Sequence, residues 1–169
     1  MGLHPVQLMH RTICRQLAVA LLMALATSCA PRVDLPRQLR VQILNTGWVD
    51  AGSVHGRRKL VPTLSVALRN TSTARLRMLQ VNALFRRVGD QDEWSSTFVT
   101  VAGTDGLAPG HTAVVAITAS QGYTSTDPPA AMLSSAQFVD ARAELFAKYA
   151  DTGWSRLGEY RISRELLAR

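Results

Sequence analysis

Cysteine, lysine, aromatic residues and long apolar runs are all scarce in this chain of 169 residues, and each scarcity excludes something. There are two cysteines, Cys14 and Cys29, so a disulfide-rich scaffold and a Cys₄ zinc site are both ruled out. The longest apolar run near the start, Leu17 to Ala26, is half the length a membrane-spanning helix needs, which is about 20 residues. There is no nucleophile elbow G-x-S-x-G, no glycine-rich phosphate loop and no EF-hand loop closed by a glutamate. Basic helices and aromatic RNA-binding patterns are missing too, which argues against nucleic acid as a partner.

What is present begins with a leader. Arg11 and Arg15 precede the apolar run, and the small residues Ala26-Thr27-Ser28 stand directly before Cys29. A basic start, a short apolar stretch and a small-residue cleavage site describe a secretory signal. After Cys29 the chain turns polar at once, with Pro31, Arg32, Asp34 and Pro36, which argues against a retained transmembrane helix. Cleavage removes Cys14 and leaves Cys29 as the sole cysteine of the mature protein. A free thiol in an oxidising compartment is reactive, and acylation would remove it.

The segment Ala26-Thr27-Ser28-Cys29 resembles the lipobox of bacterial lipoproteins. The resemblance implies a signal peptide over 1–28, a diacylglycerol on Cys29, and a lipidated tether over 29–38 leading into a domain over 39–169. It also implies that Ala30, not being an aspartate, favours the outer membrane, facing the periplasm. Two or more acyl chains hold stably where one does not.

The leader carries two of the 19 basic residues and none of the 12 acids, so the mature domain has a net charge of about +5. Lys59 and Lys148 are the only lysines. Arginine grips phosphates and carboxylates bidentately, although the bias also fits a GC-rich genome.

From Leu39 onward, short alternating segments are separated by turn residues, which is the pattern of an antiparallel sandwich. Strands are expected at 39–44, 63–69, 76–87, 94–101, 111–119, 137–146 and 154–163. Asn45-Thr46-Gly47 and Ala51-Gly52-Ser53 read as a loop with room for a short strand around Trp48, the tether over 30–38 as extended, and 121–135 as a long loop with room for one helical turn. The segment 136–150 has a rival helical reading from its Ala, Glu, Leu and Lys content. The last strand is expected to set Trp154, Tyr160 and Ile162 on one face. These features make the fold all-β, a single immunoglobulin-like antiparallel β-sandwich of about seven strands.

The stretch from Pro62 to about Ala119 carries Arg69-Asn70-Thr71-Ser72 after one strand and Leu107-Ala108-Pro109-Gly110 before another. In this it loosely resembles envelope immunoglobulin-like domains of the FxLYD and YcfL-like lipoprotein type. Ala83-Leu84-Phe85-Arg86 stands where the FxLYD string would be. The resemblance implies fold and location rather than an activity.

No residues stand out as catalytic, and no cofactor or metal is expected. His55 and His111 are far apart, each beside a glycine; Asp90, Asp92 and Glu93 read as a solvated turn. Asp140 and Glu144 share a strand face with Arg142, which would neutralise them rather than set their pKa values apart. Two binding features remain. Arg57, Arg58 and Lys59 in an early loop, with Arg86 and Arg87, would form an anion-facing patch if they converged; scattered solvated charges is the other reading. Tyr123 opens the longest loop and is either a recognition residue or a lid over an open end of the sandwich. The functional expectation is a lipid-anchored, non-catalytic accessory protein of the bacterial cell envelope that contacts another envelope protein. A binder of anionic glycan or lipopolysaccharide is the alternative, and an enzyme without a readable motif the third.

Overall fold

In a computed structural model, which describes residues 32–168, the chain runs α1 (Leu35–Gln38), β1 (Leu39–Val54), β2 (Arg57–Asn70), β3 (Leu79–Arg87), β4 (Ser95–Ala102), β5 (Thr112–Thr118), β6 (Tyr123–Ser125), α2 (Pro129–Ser134), β7 (Ala141–Lys148) and β8 (Ser155–Arg161). Two antiparallel sheets of four strands result. One has the order β1-β2-β5 with β6 also paired to β2, and the other has β4-β3-β7-β8. Consecutive strands β2 and β3 lie in different sheets, as do β4 and β5, the strand-switching order of an immunoglobulin-like sandwich. The all-β expectation holds, with one strand more than the sequence pattern implied. Cys14, Cys29 and the expected leader lie outside the described residues.

The core is the set of inward positions of both sheets. Val81, Ala83 and Phe85 of β3 face Leu64, Val66 and Leu68 of β2, and all six are fully buried. Each large side chain of this kind contributes roughly 1.5–3 kcal/mol by leaving water. On β7, Ala141, Ala143, Leu145 and Ala147 alternate with half-buried residues over the whole strand. That strict period of two is what defeats the helical reading of 136–150: a helix would turn half of those alanines outward. The strand starts four residues later than expected.

The expected loop at 45–53 is strand. The turn residues there are real, but they make bulges. Pairing between β1 and β2 shifts register between Ile43 and Asn45 and again between Asp50 and Ser53. At the second shift Gly52 takes a φ of +91°, and the Asp50 carboxylate accepts its N–H at 2.9 Å. An extra residue on one strand bends and twists the ribbon without ending it. The true reversal is His55-Gly56, both at positive φ, the two-residue hairpin that matches strand twist. Arg57, Arg58 and Lys59 therefore lie on a strand, not in a loop.

Two further expectations are corrected. The segment 30–38 is not extended throughout: Leu35–Gln38 makes a helical turn whose Leu35 is buried in the core, so the compact body begins at Val33. Trp154 and Tyr160 do not share a face. A register shift places Leu157 as an extra residue on β8, which reverses the phase. Tyr160 turns inward over Gly158, where a Cβ would meet its ring at 2.9 Å, while Trp154 stays exposed.

Both open sides of the sandwich are closed. Ser95 and Ser120 side chains meet at 3.1 Å between β4 and the end of β5. On the other side the chain after β8 runs beside β1. Trp48 N–H donates to Glu165 C=O and Leu167 N–H donates to Trp48 C=O, both at 2.8 Å.

Candidate functional site

At the hairpin end of the sandwich, four of the ten aromatic residues converge. Trp48 of β1 is fully buried, with the rings of Phe138, Tyr123 and Trp94 at centroid distances of 4.6, 5.8 and 6.2 Å. Tyr123 reaches this cluster because β6 pairs with the start of β2, Leu60 opposite Tyr123. Gly122 permits the approach: a Cβ there would lie 2.8 Å from the Leu60 carbonyl carbon and from Val61 Cγ1. Phe138 comes from the segment after α2 and is held from outside by Arg164, whose guanidinium stacks 5.2 Å from the ring and donates to Phe138 C=O at 3.0 Å.

A cleft of about 410 Å³ opens over this cluster. Tyr123 and Phe138 form its floor, Met132 and Ser135 of the α2 segment one wall, and Arg57, Ser125 and Asp127 the other. The walls are set by internal bonds. Arg57 donates to Thr124 C=O at 2.9 Å, and the Ser125 hydroxyl donates to Asp127 at 2.7 Å. The Tyr123 hydroxyl donates to Val139 C=O at 3.2 Å. Burial pushes its pKa up, against the pull of the nearby Arg87 guanidinium, so the phenol stays protonated at neutral pH. Tyr123 is thus both lid and lining. Its ring is packed into the aromatic cluster, and one side faces the cleft.

The five basic residues singled out by sequence are only partly brought together. Arg57 lines the cleft and Arg87 stands beside Tyr123. Arg58 pairs with Asp50 at 2.5 Å, Arg87 with Asp90 at 2.8 Å, and Lys59 donates to Ser120 C=O at 2.8 Å. Arg86 points out from the other sheet, engaged with Glu144 and with Gln91 C=O.

Arg142 does not neutralise Asp140 and Glu144. Side chains two apart along a strand are farther from each other than cross-strand neighbours, and the neighbours win. Arg142 pairs with Glu159 at 3.2 Å; Asp140 takes Arg161 and Arg164 at 2.5 and 2.8 Å; Glu144 takes Arg86 and, at 3.0 Å, Arg156. Hydrogen bonding from Arg161 lowers the Asp140 pKa, against the opposing effect of burial, and Arg164 adds to the lowering. For Glu144 burial alone would raise the pKa, but Arg156 and Arg86 together more than offset it. Both carboxyls therefore ionise below their unfolded values of about 4. Their stabilisation is present above that pH and is lost as pH falls through the lower folded values. The urea midpoint is expected to be lower at pH 3 than at pH 7, with a smaller difference in Asp140→Asn; equal differences in the two proteins would refute this assignment.

His55 sits in the hairpin, and His111 lends its C=O to Asn70 N–H at 3.0 Å. Among the described residues no group of three or more His, Cys, Asp or Glu side chains is placed to hold a metal. Two features escaped the sequence reading. One is the aromatic cluster, whose members are spread over 90 residues of chain and whose only signal is the scarcity of aromatics elsewhere. The other is Asn70, which joins the two turn motifs quoted above. Its Nδ2 donates to Ala74 and Leu107 C=O at 2.8 and 2.9 Å, and its Oδ1 accepts from Ser72 N–H and hydroxyl at 3.0 and 2.7 Å.

No family model matches the chain, and no curated protein does. The X-ray structure of Northeast Structural Genomics Consortium target SoR45 is similar, at 12% sequence identity and a TM-score of 0.45, over 76% of this chain and 89% of that one.

Proposed function

We propose that the chain is a lipid-anchored, non-catalytic binding protein of the bacterial cell envelope, attached at Cys29 and facing the periplasm from the outer membrane. The lipobox-like Ala26-Thr27-Ser28-Cys29 supports the anchor. The observation that carries the binding half is the cleft at the hairpin end. Its floor is aromatic, its walls bear one cation and one anion, Arg57 and Asp127, and neutral hydrogen-bonding groups complete it. Such a lining suits an uncharged or mixed-charge segment of another envelope protein. A polyanion needs uncompensated positive charge, and Arg58, Arg86 and Arg87 already face carboxylates. The glycan or lipopolysaccharide reading therefore stands second.

Two measurements test this. Cys29→Ala is expected to abolish acyl labelling and move the protein to the soluble fraction; continued membrane attachment would overturn the anchor. A photo-crosslinking residue at Gln137, at the mouth of the cleft, is expected to give a discrete protein adduct in the native envelope. That adduct should still form when crosslinking is done in about 1 M salt, where the Debye length is about 3 Å, and should not form when Ser135→Trp fills the cleft. Retention on lipopolysaccharide that salt removes, with no protein adduct, would reverse the order of the two readings.

A further inference from the structure

The chain enters the sandwich at a defined place. Val33 N–H donates to the Tyr149 hydroxyl at 2.8 Å, beside the turn that joins β7 to β8. Four residue steps separate Cys29 from Val33, a reach of about 14 Å at most. On the anchor reading proposed above, on which this inference rests, Val33 is held within about 14 Å of the lipid attachment, and the turn that Tyr149 opens lies one tyrosine side chain beyond it. The cleft lies at the opposite end: β6 pairs near Leu60, while α1 leads into Leu39 opposite Asn70. Ten strand residues separate those levels of β2, roughly 30 Å.

The corner beside Val33 has an unusual surface. Phe98, Met78 and Trp154 are 66%, 43% and 40% exposed. Phe98 and Trp154 lie against each other at 5.8 Å, and the Lys148 ammonium sits 5.0 Å over the Trp154 ring. Arg77 belongs to the same corner, its C=O accepting the Ala150 N–H at 3.0 Å. Neither Lys148 nor Arg77 makes an ion pair among the described residues. Farther along the same outer face the charges are matched, with Arg86, Arg142 and Arg156 set on Glu144 and Glu159. The face is thus divided into a neutralised half and a half with exposed rings and two unpaired cations, Lys148 and Arg77, against the single exposed carboxylate of Asp151 in the β7–β8 turn.

We infer that this corner, Met78, Phe98, Lys148 and Trp154, rests on the anionic phospholipid surface to which Cys29 is tied. Exposed Trp with a basic neighbour is the side-chain combination that settles at the boundary between headgroups and acyl chains, the ring partly buried and the cation at the phosphates. The occupant is set by the tether: a bilayer is the one surface that four residues bring to this corner in every lipidated molecule. The contact fixes the domain's orientation and holds the cleft out toward the periplasm.

The test uses full-length lipidated protein in phosphatidylglycerol-containing vesicles with brominated acyl chains, reading tryptophan emission. Brominated lipid is expected to quench a component of wild-type emission. That component should be lost in Trp154→Ala and diminished in Lys148→Glu/Arg77→Glu, while all three proteins still sediment with the vesicles through Cys29. Labelled, sedimenting protein with no quenching would overturn the inference and leave the anchor standing. Absence of acyl label would overturn both. Protection of Trp154 that rises with protein concentration without lipid would assign the corner to a second copy of the chain and overturn the inference.

Discussion

Asn70→Asp is expected to destabilise the domain by about 4 kcal/mol, a large part of the roughly 5–15 kcal/mol that a domain has. The side chain is fully buried and all four of its hydrogen-bonding positions are used. Aspartate keeps the shape and the two acceptor bonds from Ser72, but turns both donors into acceptors. The carbonyls of Ala74 and Leu107 then face a carboxylate oxygen at hydrogen-bond distance. Leu107 keeps the Leu76 N–H and Ala74 the Ser72 hydroxyl, so the cost is two lost bonds at about 1 kcal/mol each plus the burial of a charge against two carbonyl dipoles. Burial and the two facing carbonyls raise the new carboxyl's pKa, so the penalty grows as pH rises through the ordinary carboxylate range. Urea unfolding at pH 7 and pH 4 measures both effects. Hydrogen exchange should localise the loss, because Leu76 and Leu107 exchange backbone hydrogen bonds at 3.0 and 2.9 Å in the strap that Asn70 holds. A change below about 1 kcal/mol would mean the strap is held by something else.

Trp48→Ala is expected to cost about 3–5 kcal/mol and to abolish capture at the cleft. The ring fills the space behind Tyr123 and Phe138, so its removal leaves the cleft floor without backing. Trp48→Phe should behave differently. Trp48 Nε1 is buried with no hydrogen-bond partner, and an unsatisfied donor costs roughly 1–3 kcal/mol. Phenylalanine loses ring volume but removes that orphan, so it should fall within about 1 kcal/mol of the parent and keep the crosslinked adduct. If the phenylalanine variant is as damaged as the alanine one, the nitrogen is making a bond that the packing does not reveal.

The two cases mark what the sequence discloses and what it hides. Alternation is a local property, so β3, and β7 from Ala141 on, could be read for which side chains face the core, although the composition of 136–150 also suited a helix. Bulges are not local in the same way. Asn45-Thr46-Gly47 and Ala51-Gly52-Ser53 have the chemistry of turns, and only pairing with β2 reveals that the strand continues through both. The extra residue at Leu157 likewise reverses the phase of β8 and parts Trp154 from Tyr160. Asn70 was visible as a turn residue, but its partners on Leu107 lie 37 positions away. The basic pairs were visible as charges; their carboxylate partners, brought in by cross-strand register, were not. The cleft is the least legible of all, since β6, α2 and the start of β2 meet only in the folded chain.

The segment that follows β8 has a consequence for the order in which this protein can be completed. The outer edge of β1 is covered at Trp48 by Glu165 and Leu167, and the Thr46–Ser163 contact beside it joins residues 117 positions apart. A chain delivered from its N-terminus exposes that edge, with its ladder groups unpaired, until almost all of the domain has emerged. An unpaired edge is a template for pairing with other chains. The interval between the arrival of Trp48 and that of Leu167 is therefore the period in which this protein most needs an escort.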